Sequence, residues 1–246
     1  MHRFFVEENQ IYENEIRIIG TDVNHIKNVL RMKVNEEIVV SCGEVKEYTC
    51  HIKAFDGDEV VARIEKVEEV EMELKSKIYL FQGLPKSDKM EMIVQKAVEL
   101  GVFAIIPVAM KHCVVKLDGK KEAAKIKRWQ GIATSAAKQA KRMIIPKVEQ
   151  VKTFAEAMAL SQELEICIMP YEKALDIKDT KSFLSTIKPG QSIGVFIGPE
   201  GGFAEEEVAL AQQNEIKTIT LGKRILRTET AGITTLSILM FLMEEA

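Results

Sequence analysis

A chain of 246 residues has room for one large domain or two ordinary ones, and its 46% hydrophobic and 29% charged residues are the balance of a globular protein. No apolar run reaches the roughly 18–20 residues needed to cross a bilayer, which argues against a membrane span. The net charge of −3 hides an asymmetry: residues 75–147 carry 16 Lys/Arg against 5 Asp/Glu, whereas residues 1–74 carry 9 against 17.

The start, "MHRFFVEENQ", lacks a long apolar core and a small-residue cleavage site, so no signal peptide is expected. Cys42, Cys50, Cys113 and Cys167 are scattered without a C-x-x-C pair, which points to a reducing cytoplasm rather than a disulfide framework. Over the first 70 residues, "EEIVVSCG", "EYTCHIKAF" and "DGDEVVARIEKV" read as short strands with turns between them. "DVNHIKNVLRM" breaks in with helical spacing of Val23, Ile26, Val29 and Leu30. A small β-rich domain is expected, ending in the charged stretch "EEVEMELKSK".

From Lys77 the pattern alternates. "KIYLFQGL" is a strand, and a helix is expected over 88–100, capped by Ser87 or Asp88 and stopped by Gly101. "VFAIIPVAM" is the next strand, and a long basic helix is expected over 120–142. Its positive run attracts a polyanion or simply faces water. "EICIMP", "QSIGVFIG" and "KTITLG" are further strands separated by helical sequence. This alternation predicts an α/β domain with a mostly parallel sheet covered on both faces. The last helix, "TAGITTLSILMFLMEEA", is apolar on nearly all sides from Ile238 to Met243, so it lies in the core or against a second subunit.

Ligands of open α/β sheets bind beyond the carboxyl ends of the strands, here "IMPYE", "IGPEGG" and "LGKRILRTETAG". The glycines of "FIGPEGGFAEEEV" suggest a phosphate cradle, but neither the dinucleotide fingerprint nor the P-loop pattern is present. Glu200 would repel a phosphate at the place where the cradle needs positive charge. The loop is expected either to hold a ligand that is not anionic or to be a tight connection. Arg227 precedes a helix N-terminus, an unfavourable place for a cation. That position suggests a functional task, or an ion pair with Glu229 or Glu200. Thr228 or Thr230 is the expected N-cap.

"RFFV", "HIKNVLRM", "QGLPKSDKMEMIVQKAVELGV", "IGPEGGF" and "LGKRILRTETA" together resemble the ribosomal small-subunit RNA methyltransferase E family of the SPOUT superfamily. The resemblance runs in order over essentially the whole chain. It implies a PUA-like RNA-binding β-barrel over residues 1–72. Over residues 73–246 it implies an α/β domain with a trefoil knot that binds S-adenosylmethionine and dimerises. The implied activity is methylation of one uridine at N3 in 16S ribosomal RNA, on free RNA or on the small ribosomal subunit. No membrane or metal partner is implied.

Carried onto this chain, the cofactor lies among Met169, Pro170 and Tyr171, then Ile197, Gly198, Pro199, Glu200, Gly201 and Gly202, then Leu221, Gly222, Ile225, Leu226 and Arg227. A carboxylate in such a loop suits a sulfonium. Arg227 is the first candidate for stabilising charge on the uracil oxygens, and Arg142 the second. Glu229 is the candidate for accepting the N3 proton or orienting Arg227. Candidate RNA contacts are Arg3, His25, Arg31, Lys33, Lys86, Lys138 and Lys141. Ala204 departs from the Ser or Thr that relatives carry as a helix cap. A tRNA base or a ribose hydroxyl as target, or a non-catalytic RNA-binding factor on the same fold, would leave much of this pattern intact.

Overall fold

The computed structural model describes residues 2–174 and 176–244. The chain divides into two compact units. The first gathers the residues up to Glu73 together with Ala137–Ile145, and the second gathers Leu74–Ala136 with the residues from Pro146 onward. Among the described residues, no helix is long and apolar enough to cross a membrane.

The first unit is built on a five-stranded mixed sheet. Its strands are β1 (His2–Phe5), β2 (Glu15–Ile18), β3 (Glu37–Cys42), β4 (Lys46–Asp56) and β5 (Glu59–Glu69), in the order β1-β3-β4-β5-β2. β1 runs parallel to β3, and the other pairs are antiparallel. Gly57 takes a φ of +51° in the turn from β4 to β5, where glycine is needed. In β4, Tyr48, Cys50 and Ile52 are buried alternately, the two-residue period that points one face at a core. That core collects Phe4, Ile16, Ile38 and Val40. It also takes Ile26 from the helical insertion, which is α1 (Thr21–Asn24) continuing into a wider turn over His25–Val29. The described strands thus form a mixed sheet whose order runs from β1 to β2.

The second unit alternates strand and helix. Its strands are β6 (Ile78–Gly83), β7 (Ala104–Ala109), β8 (Lys147–Val148), β9 (Lys152–Thr153), β10 (Ile166–Pro170), β11 (Ile193–Ile197) and β12 (Lys217–Ile219). Six of them form a path in the order β12-β10-β11-β6-β7-β8, with β9 also on β7, and every pairing is parallel. The helices are α2 (Lys89–Glu99), α3 (Gly119–Gln139), α4 (Phe154–Ser161), α5 (Ile177–Leu184), α6 (Glu205–Gln213) and α7 (Thr228–Met243). The parallel α/β sheet is the one expected from the strand–helix alternation. Every residue of β11 is buried, as a central parallel strand requires. Phe196 of β11 stacks on Phe81 of β6 with ring centres 4.3 Å apart, and Phe154 meets Phe196 edge-on.

Two boundaries differ from the sequence reading. The basic helix ends at Gln139, not at 142, because Lys141 turns into the left-handed region with φ +58°. The amide of Arg142 then bonds back to the carbonyl of Ala137, a helix-closing pattern that normally uses glycine. β8 and β9 have two residues each, too few to show a period in the sequence. Trp129 is buried, as packing predicts, and so is Met90, whereas Met92 is 41% exposed.

Candidate functional site

β6, β10, β11 and β12 run in one direction, so their carboxyl ends share one edge of the sheet. The loop after β11 closes on itself, with the Gly202 amide donating to the Pro199 carbonyl at 2.9 Å. Gly202 has φ +67°, a conformation that side-chain-bearing residues rarely adopt. The loop also presses against the end of β6. A Cβ on Gly83 would stand 2.8 Å from both Cδ and N of Pro199.

The loop is tied to its surroundings by polar contacts. His112 Nδ1 lies 3.0 Å from the Gly201 carbonyl and 3.3 Å from that of Gly202. Two acceptors facing one ring nitrogen require Nδ1 to carry the hydrogen. Glu207, buried in the first turn of α6, accepts from the Ala204 amide at 2.9 Å and from the Lys111 amide at 2.8 Å. Ala204 has no side-chain cap of its own, so Glu207 supplies the half of the capping box that reaches backward.

Charge concentrates where the loop meets α2 and α7. Glu200 accepts from the Lys86 amide at 3.1 Å and faces Lys89 Nζ at 3.0 Å. Glu229 Oε2 lies 3.3 Å from the same ammonium. The Glu200 hydrogen bond, opposed by burial and helped by Glu229, holds Lys89 above the ordinary lysine value. Burial pushes the Glu200 carboxyl up, but its own amide, Lys89 and the Lys86 amide together pull it below the ordinary value. Both carboxylates therefore pair with Lys89, not with Arg227 as the sequence suggested. The Arg227 side chain is exposed and makes no hydrogen bond or ion pair with the described residues. Arg227 itself occupies the N-cap position of α7, where Thr228 or Thr230 was expected. Thr228 is the first helical residue, and its hydroxyl donates to the Gly198 carbonyl at 2.6 Å.

These elements enclose a cavity of about 420 Å³. Most of the residues expected around a ligand line it: Pro170, Ile197, the loop from Gly198 to Gly202, Ile225, Leu226 and Arg227. An adjoining recess of about 100 Å³ is lined by Tyr171, Leu221 and Gly222. Met169 is fully buried in β10 and lines neither. The sequence reading missed Glu172, Phe203, Thr228 and Ala231, which also line the cavity, and Lys89 as part of its wall. Gln82, a fully buried amide near the end of β6, was also missed. A lone polar residue inside "IYLFQGL" was the available signal.

The remaining sequence candidates lie mostly in the first unit. The Arg142 guanidinium, in the segment 137–145, is bound by the Glu73 carboxylate at 2.5 to 3.0 Å, and the Met143 amide donates to the same group at 2.7 Å. Arg3 is held by Ser41 and Glu47. Lys138 pairs with Asp22 at 2.7 Å and lies over the Phe4 ring. His25 meets Phe4 edge-on. Arg31, Lys33 and Lys141 are exposed. In the second unit, Lys86 is exposed beside the glycine loop. Among the described residues, no group of three or more His, Cys, Asp or Glu is placed to hold a metal ion.

Comparison with known proteins places this geometry in a family. An RNA methyltransferase domain pattern matches residues 72–240, and an RNA methyltransferase PUA domain pattern matches residues 18–65. The ribosomal RNA small subunit methyltransferase E of Bacillus subtilis is 36% identical over 99% of this chain and 98% of its own. That of Aquifex aeolicus is 31% identical over 98% and 99%. A crystal structure of the same enzyme from Neisseria gonorrhoeae, bound to S-adenosyl methionine, superposes with a TM-score of 0.84 at 32% identity, covering 98% of both chains. A Legionella pneumophila methyltransferase in complex with the same cofactor gives 0.83 at 32%, covering 96% of both.

Proposed function

The chain belongs to the ribosomal RNA small subunit methyltransferase E family, and from that premise we propose that it transfers a methyl group from S-adenosylmethionine to N3 of one uridine in 16S ribosomal RNA. The observation that carries this reading is the cavity at the strand ends. Its glycine turn is pinned at Gly83, Thr228 and His112, and its wall carries Glu172 and Glu200. A volume of about 420 Å³ is that of a small-molecule site. Glu200 is paired with Lys89, but Glu172 makes no ion pair among the described residues and so disfavours a phosphate beside it and tolerates a sulfonium, while bent backbone offers N–H and C=O groups to an adenine edge. These residues suit the methyl donor and not a nucleotide triphosphate.

When bound, the donor supplies a methyl group bearing positive charge, which passes from sulfur to N3 while the sulfur keeps the bonding electron pair. The chain must do three further things. It must hold the two reactants in line, which is worth up to roughly 7–11 kcal/mol in ideal cases. It must stabilise negative charge on the uracil oxygens as N3 gives up its proton. Arg227 suits that task because its planar donors are exposed at the cavity and free of any partner among the described residues. It must also take the proton, for which Glu229 is the candidate, held beside Lys89. Arg142 would have to give up Glu73 to reach a substrate, so Arg227 carries the charge-stabilising role in this reading.

The same reading divides the labour between the residues up to 72, which bind RNA, and the residues from 73, which form the knotted catalytic domain. Support for the RNA face comes from the second unit as well. Lys116, Lys120 and Lys127 are exposed and Lys125 partly so, and none makes an ion pair with the described residues. Arg128 and Lys121, by contrast, are engaged by Glu91 and Asp118. A homodimer is supported by the last part of α7, apolar from Ile238 to Met243, where Phe241 is 79% and Leu242 40% exposed. A cytoplasmic location follows from the substrate.

Titration calorimetry with S-adenosylmethionine, with adenosine triphosphate as control, tests the cavity. Saturable heat from the first alone is expected, and heat from the second alone overturns the reading. Mass spectrometry of 16S RNA nucleosides from a deletion strain tests the product. Loss of one N3-methyluridine is expected, and an unchanged nucleoside profile refutes the assignment.

A further inference from the structure

Gln82 is fully buried near the carboxyl end of β6, between Ile197 of β11 and Pro107 of β7. Its Nε2 donates to the Gly83 carbonyl at 2.9 Å and to Thr228 Oγ1 at 2.9 Å. A carbonyl can face only the NH₂ end of an amide, so the Gly83 contact fixes which way the side chain points. Thr228 has one hydroxyl hydrogen, and it goes to the Gly198 carbonyl. The three groups form a one-way chain: Gln82 donates to Thr228, and Thr228 donates to the first residue of the glycine loop. The remaining atom, Gln82 Oε1, is buried without a hydrogen-bond partner among the described residues and points toward Gly232 of α7, whose missing Cβ would stand 3.6 Å from it. Leaving a buried acceptor unsatisfied lowers stability. A methionine of similar length would fill the space without that orphan, though it would no longer donate to the Gly83 carbonyl and Thr228. The amide is therefore held against stability, and its other end touches only the loop apparatus.

We propose that Gln82 is a positioning residue for the methyl-donor site. It orients the Thr228 hydroxyl, which in turn sets the Gly198 peptide where the glycine loop leaves β11. Three sequence-distant elements, β6, the loop after β11 and the start of α7, are locked together by two hydrogen bonds, and the cavity lies on the side of that lock formed by Ile197, Gly198 and Thr228. The role rests on the methyltransferase reading above only for its ligand; the lock itself is independent of it.

The test is Gln82→Met in the full-length protein, beside Thr228→Val and the conservative Thr228→Ser. Gln82→Met should melt within a few degrees of the parent, because it removes the orphaned acceptor while taking a donor from the Gly83 carbonyl and the Thr228 hydroxyl. Its KM for S-adenosylmethionine should rise about tenfold, the effect of one lost hydrogen bond, with kcat changed about twofold or less. Thr228→Val should match it, and Thr228→Ser, which keeps the hydroxyl, should restore the KM. Amide hydrogen exchange without any ligand should quicken over residues 198–203 in Gln82→Met while exchange in β6 and β7 stays unchanged. A KM and an exchange pattern equal to the parent's overturn the proposal. So does a melting temperature that falls in step with affinity, since that is ordinary core damage. If the parent protein itself fails to bind the donor, the methyltransferase reading falls, and the exchange measurement alone still decides the lock.

Discussion

Arg227 stands at the head of α7 with its guanidinium unpartnered among the described residues, in the field of a helix terminus that disfavours it. A cation without an ion pair at that place is what the proposed charge-stabilising role requires. Arg227→Ala should lower methylation by about a hundredfold or more with the melting temperature nearly unchanged, as removal of one preorganised electrostatic group does. A single-turnover assay on 16S RNA reads the first quantity and calorimetry the second. Glu200 makes a different prediction. Its carboxyl is held below the ordinary 4.5, so the stability it contributes is fully present above that pH and disappears as pH falls through the lower folded value. Glu200→Gln should therefore melt below the parent at pH 7, and the gap should close once the medium is acid enough to protonate Glu200 in the folded protein. At this scale the sequence marked the loops that line the cavity, because glycine, proline and charge have local meanings. It did not show that Lys89 collects both carboxylates or that Thr228 reaches back to Gly198. Those contacts join residues 30 or more positions apart, and no local rule specifies them.

The strands and helices were more legible than the contacts between them. Each long strand of the second unit announced itself as an apolar run bounded by turn residues, and α2 showed its buried face as Met90, Ile93, Val94 and Ala97. α3 was read three residues too long because its end is set by a left-handed lysine, a conformation that composition does not advertise. The meeting of β6 with the glycine loop is a test of element packing. Gly83→Ala would force a methyl group against the backbone nitrogen of Pro199, which cannot rotate away. The loop must shift as a body. Affinity for S-adenosylmethionine should fall at least tenfold, roughly the size of a misplaced binding loop, and equilibrium calorimetry shows whether it does. α7 makes the companion prediction. Phe241 is exposed near the end of a helix that is apolar from Ile238 to Met243. The parent should sediment as a dimer and Phe241→Asp as a monomer.

Across the whole molecule, a net positive balance is confined to the middle of an acidic chain. Part of it is neutralised internally, by Asp22, Glu73 and Glu91, while Lys116, Lys120, Lys125 and Lys127 stand without an ion pair among the described residues. Changing those four to Gln should weaken RNA binding and reduce the slope of log affinity against log salt by about 0.7–0.9 for each phosphate no longer neutralised. An unchanged slope, measured by fluorescence anisotropy, would make them a solvated face. The charge asymmetry was plain in the sequence, whereas its division into neutralised and available cations needed the fold.

The path of the backbone has a practical consequence. Residues 137–145 fold with the first unit although 63 residues of the second precede them, from Leu74 to Ala136. Severing the polypeptide after Glu73 would not yield two self-sufficient halves. The amino-terminal fragment would keep the Glu73 carboxylate but lose the Arg142 guanidinium and the Met143 and Ile144 amides that satisfy it. The other fragment would inherit the Arg142 guanidinium without its Glu73 carboxylate. Anyone dissecting the two units must therefore transplant the nine-residue strap along with the amino-terminal fragment.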